Sequence, residues 1–367
     1  MSFSGSYRSG EVDFLLTRLQ AQEFTSVAEK ERLIQSGRRH YSQMLSPESV
    51  PSARYMALFE QACRANNARM AADCLRLAAL VAARRAGPIT IVSLARAGTP
   101  VGVVVTRLLR EVLGRQAVHY SVSIVRDRGI DGAALRHILA EGHAPESIVF
   151  VDGWTGKGVI ARELALSVSA FNAAHGSHID NGLYVLSDLA GAAACAASGD
   201  DYLIPSSILN ATVSGLVSRT VLDERIGPDD FHGCVYYGEF AEHDQSQRFA
   251  DALVELARSQ AGAGLPAAQA LDAAQAAERS RSYLAHAMRR YGIADVNLIK
   301  PGIGEATRVL LRRVPRLLVL RQPGAADAAH PALAHLLVLA EEKQVPVEID
   351  PALPYHAVSL IRSASDG

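Results

Sequence analysis

The sequence is short of cysteine. Its 367 residues include four, Cys63, Cys74, Cys195 and Cys234, and no two form a C-x-x-C pair, which argues against a zinc site. Four thiols are also too few for a disulfide framework in a chain of this length, so a reducing, cytoplasmic setting is expected. An excess of one charge is missing as well: 37 Lys and Arg face 38 Asp and Glu, for a formal net charge of −1. No global excess therefore points to nucleic acid or a membrane surface, although a sum does not exclude a local patch. No apolar run approaches the ~20 residues of a membrane span, and the stretch from Leu77 to Ala83 is bounded by arginines. The opening MSFSGSYRSGEVDF lacks the basic, apolar and small-residue succession of a signal peptide, and none is expected.

What is present suits a packed globule: 49% of the residues are apolar and 20% charged. The length suggests two or three domains. Residues 1–84 read as a helical N-terminal segment, because VDFLLTRL and the stretch from Arg54 to Arg84 carry apolar residues at three- and four-residue spacing. At Gly87-Pro88 the period changes. ITIVSLA, AVHYSVSIV, SIVFVD and GLYVLSD read as strands, with helical stretches PVGVVVTRLLREVLG, DGAALRHILAEG, GVIARELALSVSAFNAAHG and AGAAACAASG among them. Such alternation means a mostly parallel sheet covered on both faces, assigned to residues 85–293, with residues 244–291 helical again. Residues 294–367 make a small α/β module: helix GEATRVLLRRV, strand RLLVLRQ, helix HPALAHLLVLAEEKQ and strand VPVEID.

Two strand-to-helix turns carry candidate chemistry. The first strand ends at Leu94, and Ala95, Arg96, Ala97 and Gly98 lead into Thr99 and Pro100, both good helix starts. Amide groups at a helix start and the fork of an arginine suit a phosphate; an ordinary turn with a surface arginine accounts for the same residues. The second stretch, SIVFVDGWTGKG, ends a strand on Asp152 and passes the chain's only tryptophan, Trp154. It then enters the turn Thr155, Gly156, Lys157, Gly158, which offers amides, a hydroxyl and an ammonium. A plain turn with a capping acid is the alternative. A Walker loop needs four residues between its glycines and Ser or Thr after the lysine, whereas Gly153 and Gly156 are too close and Gly158 follows Lys157. The dinucleotide fingerprint fails on spacing. In a parallel sheet both turns open at the carboxyl edge, where ligands bind, and a ligand with two phosphorylated ends and a diol between them would bridge them.

On these residues the chain resembles the type I phosphoribosyltransferases. SLARAG is similar to their pyrophosphate loop and IVFVDGWTGKG to their phosphoribosyl-pyrophosphate loop. A closer likeness, over nearly the whole chain, is to the tellurite-resistance and stress-operon group described both as phosphoribosyltransferase-like and as "cysteine protease StiP". It is carried by EKERLIQSGRRHYSQMLSPE, VSLARAGTPVGV, HYSVSIVRDRGID, VDGWTGKG, TVSGLVSRT, DFHGCVYY and IKPGIGEATRVLLRRVP. The tail from about Ala294 resembles the Pelota-type RNA-binding domain of that group.

The resemblance implies a type I phosphoribosyltransferase-like parallel sheet flanked by helices. It implies that Asp152 holds ribose hydroxyls directly or through Mg²⁺, that Thr155 to Gly158 cradle the 5-phosphate, and that Ala95 to Gly98, with Arg96, bind pyrophosphate. The expected function is transfer of phosphoribose from phosphoribosyl pyrophosphate to an unknown base-like acceptor, in a stress response. The family's loop has two adjacent acids; here Gly153 follows Asp152, a departure that bears on turnover more than on binding. Arg126, Asp127 and Arg128 follow a strand at the same edge and are candidates for acceptor or phosphate contact, or a salt-bridged turn. Asp188 ends another strand as a further candidate or a cap. A non-catalytic sensor of phosphoribosyl compounds or RNA is the second class.

The third class is the cysteine hydrolase of the family label, which needs a thiolate near a histidine. Cys234 follows His232 by two residues. On a strand the two would share a face at ~6.5 Å along the chain, long for a thiol–imidazole hydrogen bond. Cys195 lies among alanines, the usual setting of an inert core thiol. No papain- or caspase-like pattern is present, and hydrolysis ranks below transfer on the sequence. In the tail, Arg308, Arg312, Arg313, Arg316 and Arg321 give a local basic surface for RNA read through its phosphates, or a solvated helix face. The partners expected are a small sugar phosphate, RNA through residues 294–367, and a second copy of the chain, with no membrane.

Overall fold

The computed structural model describes residues 3–19, 24–26, 29, 32, 33, 36, 38–222, 224–267, 269, 271–312, 314–321 and 333–361. The chain opens on two short strands, β1 (Asp13–Leu15) and β2 (Thr17–Arg18), where a helical segment was expected. Phe14 and Leu15 are both fully buried, one in each of two separate core clusters. Burial of consecutive side chains on opposite faces is what a strand in a doubly covered sheet requires, and a short apolar run cannot be told from a helix by period alone. The expected helix does form as α1 (Ala53–Arg84), whose cap Ser52 accepts a hydrogen bond from Tyr55 N.

The alternation follows: β3 (Ile89–Ala95), α2 (Thr99–Glu111), β4 (Ala117–Val125), β5 (Gly129–Ile130), α3 (Gly132–Ala140), β6 (Ile148–Thr155), α4 (Val159–His175) and β7 (Leu183–Asp188). Then comes β8 (Cys195–Ser198), a strand where AGAAACAASG was expected to be helical. The Asp188 carboxylate takes the amides of Ala190 and Ala193, and Gly191 sits at φ +59° with a virtual Cβ 1.9 Å from Ala273 O. That close approach and left-handed backbone exclude a helix through this position. After a long irregular stretch come β9 (Gly233–Cys234), α5 (Ser246–Ala261) and α6 (Ala273–Tyr291).

Seven strands of the described residues form one sheet in the order β1-β4-β3-β6-β7-β8, all parallel, with β5 folded back antiparallel on β4. The strand residues alternate between the two cores: Ile89 and Ile91 face one, Val92 and Leu94 the other. Residues of α1, α2 and α5 fill the first core, and residues of α3 and α4 the second. Because all these parallel strands run one way, their carboxyl ends share one edge.

The C-terminal module holds β10 (Ile299–Pro301), α7 (Ile303–Arg312), β11 (Leu317–Leu320), α8 (Ala334–Glu342), β12 (Val347–Ile349) and β13 (Ala357–Leu360). Its sheet runs β10-β13-β11-β12. Helix α6 packs Tyr283 and Ala287 on one face of that sheet. The other face, with α7 and α8, joins the core around α1, where Tyr55 Oη donates to Leu311 O at 2.5 Å. Arg313 and the start of the helix expected at HPALAH lie outside the described residues. Among the described residues no helix is long and apolar enough to cross a membrane.

Candidate functional site

The carboxyl edge brings the two turns together. Strands β3 and β6 are parallel neighbours with Ser93 opposite Val151, so the turn of Ala95 to Gly98 lies beside Asp152. Gly98 is the cap residue of α2, and its amide donates to Leu94 O at 2.9 Å. A Cβ there would fall 2.7 Å from Val151 O. Arg96 is held by three partners: Glu48 Oε1 at 2.5 Å, Val217 O at 2.9 Å and Asn210 Oδ1 at 3.2 Å.

Asp152 is not a simple cap. Its Oδ1 accepts from Gly153 N at 2.8 Å. Burial pushes the carboxyl up to about 7, against the Gly153 hydrogen bond and the Arg308 guanidinium. Lys157 shifts the opposite way, down to about 7, because burial and then Lys300 disfavour its charge. Its Nζ donates to Val296 O at 2.8 Å. The turn between them is closed by its own bonds and by the module. Gly158 N donates to Thr155 Oγ1 at 2.9 Å, and a Cβ on Gly156 would sit 3.0 Å from Pro301 O.

Two recesses flank Trp154 where the module meets the edge. One, of ≈ 340 Å³, is lined by Arg96, Ala97, Trp154, Asn210, Arg308 and Arg312 among others. The other, of ≈ 270 Å³, includes Ser187, Asp201, Gly302 and Glu305. Arg308 lies over the Trp154 ring at 5.5 Å, and Arg312 Nη2 donates to Asn210 Oδ1. Asp201 fastens the module to the sheet: its carboxylate accepts from Ile303 N and His356 N, each at 2.8 Å. Burial pushes that carboxyl up to about 6. The roles of Glu48, Asn210 and Asp201 and the inward turn of Arg308 and Arg312 were missed on the sequence. No periodicity or spacing signals them, because they depend on how distant segments dock.

The other candidates are placed elsewhere. Arg126, Asp127 and Arg128 form the tip between β4 and β5 at the same edge, outside both recesses. Arg126 Nε meets Asp127 Oδ2 at 3.2 Å, and Tyr41 Oη accepts from Arg126 N at 2.8 Å. Asp188 spends both carboxylate oxygens on loop amides. Among the described residues no group of three or more His, Cys, Asp or Glu is placed to hold a metal.

All four cysteines are free. Cys74 is sealed in the core, and burial raises its thiol well above the ordinary value. Cys63, half-buried on α1, is pushed up to about 12 by burial. Cys195 opens β8, at the amino edge, and Arg84 Nη1 donates to its Sγ at 2.9 Å. Cys234 is fully buried, and burial pushes its thiol up to about 12. The carbonyls of His232 and Cys234 accept from Thr17 N at 3.0 Å and Leu19 N at 2.9 Å. The segment is therefore extended, and the two side chains leave it on one face. His232 Nδ1 lies 2.8 Å from Ser123 Oγ, and His232 N donates to Asp131 Oδ2 at 2.6 Å. Burial lowers the imidazole, and the Asp131 charge opposes that shift. Among the described residues no cysteine sulfur is hydrogen-bonded to an imidazole.

Comparison with known proteins bears on these alternatives. The family described as "Tellurite-like stress resistance cysteine protease StiP" matches residues 5–254, and the PELOTA RNA binding domain matches residues 278–363. A curated relative, "Cysteine protease StiP" of Acinetobacter baylyi (strain ATCC 33305 / BD413 / ADP1), is 44% identical over 378 aligned residues, spanning 100% of this chain and 96% of the relative. No solved structure matches.

These matches overturn the phosphoribosyltransferase reading, and with it phosphoribosyl pyrophosphate and magnesium. Family and relative are both named as cysteine proteases. The physical reason for the error is that a strand, an acid and a glycine turn form a local shape shared by many sites, and any parallel sheet gathers such turns at one edge. Here the turn read as a phosphate cradle is covered by Pro301, with Lys157 tied to Val296 O.

Proposed function

The chain belongs to the StiP family of tellurite-like stress resistance cysteine proteases and carries a Pelota RNA-binding domain, and from that premise we propose that it is a cysteine-dependent peptide hydrolase with an RNA-binding module, Cys234 supplying the sulfur and His232 the base. The observation that carries the choice of Cys234 is its shared strand face with His232, whose Nδ1 is anchored on Ser123 Oγ. Cys63, Cys74 and Cys195 have no such imidazole among the described residues, and Cys195 lies at the opposite edge of the sheet.

The chemistry is that of an activated nucleophile. Cys234 gives its proton to His232 Nε2, and the sulfur attacks the peptide carbonyl carbon. The C–N bond breaks as the imidazolium returns the proton to the leaving amine. Water then cleaves the thioester, releasing the acid and restoring the thiol. Burial keeps the imidazole neutral, the form that accepts a proton. The thiol as seen is protonated and covered, which makes this a resting arrangement. Access to it requires a local rearrangement around β9, where Arg18 pairs with Cys234 and lies over the Phe3 and Tyr236 rings.

The test is hydrolysis of fluorescein-labelled casein by the wild type and by four single Cys→Ala variants. Cys234→Ala abolishes turnover, His232→Ala lowers it by about a hundredfold or more, and the other three stay near wild type. Full activity in Cys234→Ala, or loss that follows another cysteine, refutes the assignment. RNA binding by the full chain is measured by anisotropy with a structured RNA at low and high salt. Saturable binding that weakens with salt is expected, and no binding at low salt refutes it.

A further inference from the structure

Three guanidinium groups meet where the module docks on the sheet edge. Arg96 comes from the turn after β3; Arg308 and Arg312 sit one turn apart on α7 and share a face. Arg96 and Arg312 both donate to one neutral acceptor, Asn210 Oδ1. An amide oxygen cancels neither charge, and two cations on one acceptor repel.

The nearby carboxylates are already committed. Glu48 Oε1 takes Arg96, its Oε2 takes Ala211 N at 3.1 Å, and Glu305 Oε1 stands 3.4 Å from Arg308. Among the described residues no carboxylate lies within ion-pair distance of Arg312. Arg312 is itself exposed to solvent, so an incoming anion can reach it. A second observation comes from the opposite wall. Ser207 is 4% exposed and lines the same recess, and its Oγ has no hydrogen-bond partner among the described residues. Ser206 and Ser214 add hydroxyls.

Three guanidinium groups against two carboxylates leave one cation in excess, and with the unpartnered hydroxyl beside it this describes a site for an oxyanion. A carboxylate brings one charge and two oxygens; a phosphate monoester brings nearly two charges and three acceptor oxygens. We propose that this seam is a binding site for a phosphate monoester, the group carried by a mononucleotide or by the 5′ end of an RNA strand, held by Arg96, Arg312 and Ser207. The site is separate from Cys234 and does not rest on the hydrolase assignment.

The experiment uses the full chain, with calorimetry and thermal melting against inorganic phosphate, AMP, adenosine, and a short RNA with a 5′-phosphate or a 5′-hydroxyl. AMP binds and raises the melting temperature; adenosine does neither. Arg312→Leu weakens AMP by about tenfold to a hundredfold, while its own melting temperature without ligand stays near that of the wild type. Arg136→Ala, at an exposed ion pair with Asp229, and Cys234→Ala bind AMP like the wild type. A preference for 5′-phosphorylated RNA that Arg312→Leu removes identifies the RNA end as the source, and binding of AMP alone identifies a free nucleotide. If AMP and phosphorylated RNA both fail to bind, if adenosine binds as well as AMP, or if Arg312→Leu binds like the wild type, the site is overturned. Should Arg312→Leu melt early, Ser207→Ala decides: weaker AMP binding supports the site and unchanged binding overturns it.

Discussion

Asp152→Asn should make the protein more stable at pH 8 and leave it unchanged at pH 4. Burial holds the folded carboxyl at about 7, against an ordinary value of 3.8. The folded state therefore favours the protonated acid. The stability this contributes is complete below pH 3.8 and is lost as pH rises through about 7. At 1.36 kcal/mol per unit the whole shift is worth at most about 4 kcal/mol. The residue is only partly buried, so about 2 kcal/mol is the expected size. Asparagine is neutral throughout and keeps the acceptor for Gly153 N, which Asp152 Oδ1 meets at 2.8 Å. Urea unfolding of both proteins at pH 4.5, 6, 7 and 8 measures the gap, which should open steadily with pH. A gap that does not change with pH, or a variant less stable at pH 8, refutes the reasoning.

Gly102→Ala should destabilise the fold by about 3 kcal/mol or more, because the new Cβ would fall 2.3 Å from His119 Nε2, which is bonded to buried Ser93 Oγ; an unchanged urea midpoint would refute this. Asp201→Ala removes two charge-assisted bonds to Ile303 N and His356 N and should cost about 3 kcal/mol. Hydrogen exchange at those two amides should rise, and unchanged protection would show that the carboxylate does not hold the module.

The parallel sheet was legible because its strands are continuous apolar runs with helices at regular spacing: ITIVSLA is β3 residue for residue. The same regularity placed Arg96 and Asp152 at one edge. Strand β1 was not legible, since three residues, of which Phe14 and Leu15 are buried on opposite faces, carry no period of their own. Nor was β10 or β13, each a few residues long and defined by pairing, β10 with β13 and β13 with both β10 and β11. Arg308 and Arg312 read as an outward basic face, yet the docking of α7 turns both toward Trp154 and Asn210. That direction is set by the fit of the module on α1 and on the sheet edge, which no local pattern encodes. The function was misread for a related reason. The turns at the carboxyl edge have recognisable local shapes, whereas Cys234 ends a two-residue strand that His232 immediately precedes.

The assignment of Cys234 as nucleophile is tested most directly by trapping the acylating sulfur. The protein is incubated with a peptidyl chloromethyl ketone during casein hydrolysis, and the modified peptide is mapped by mass spectrometry. One adduct per chain on Cys234, formed in step with loss of hydrolysis and suppressed by His232→Ala, is the predicted result. Hydrolysis that continues with Cys234 unmodified, or stops with the adduct on Cys63 or Cys195 instead, would contradict it.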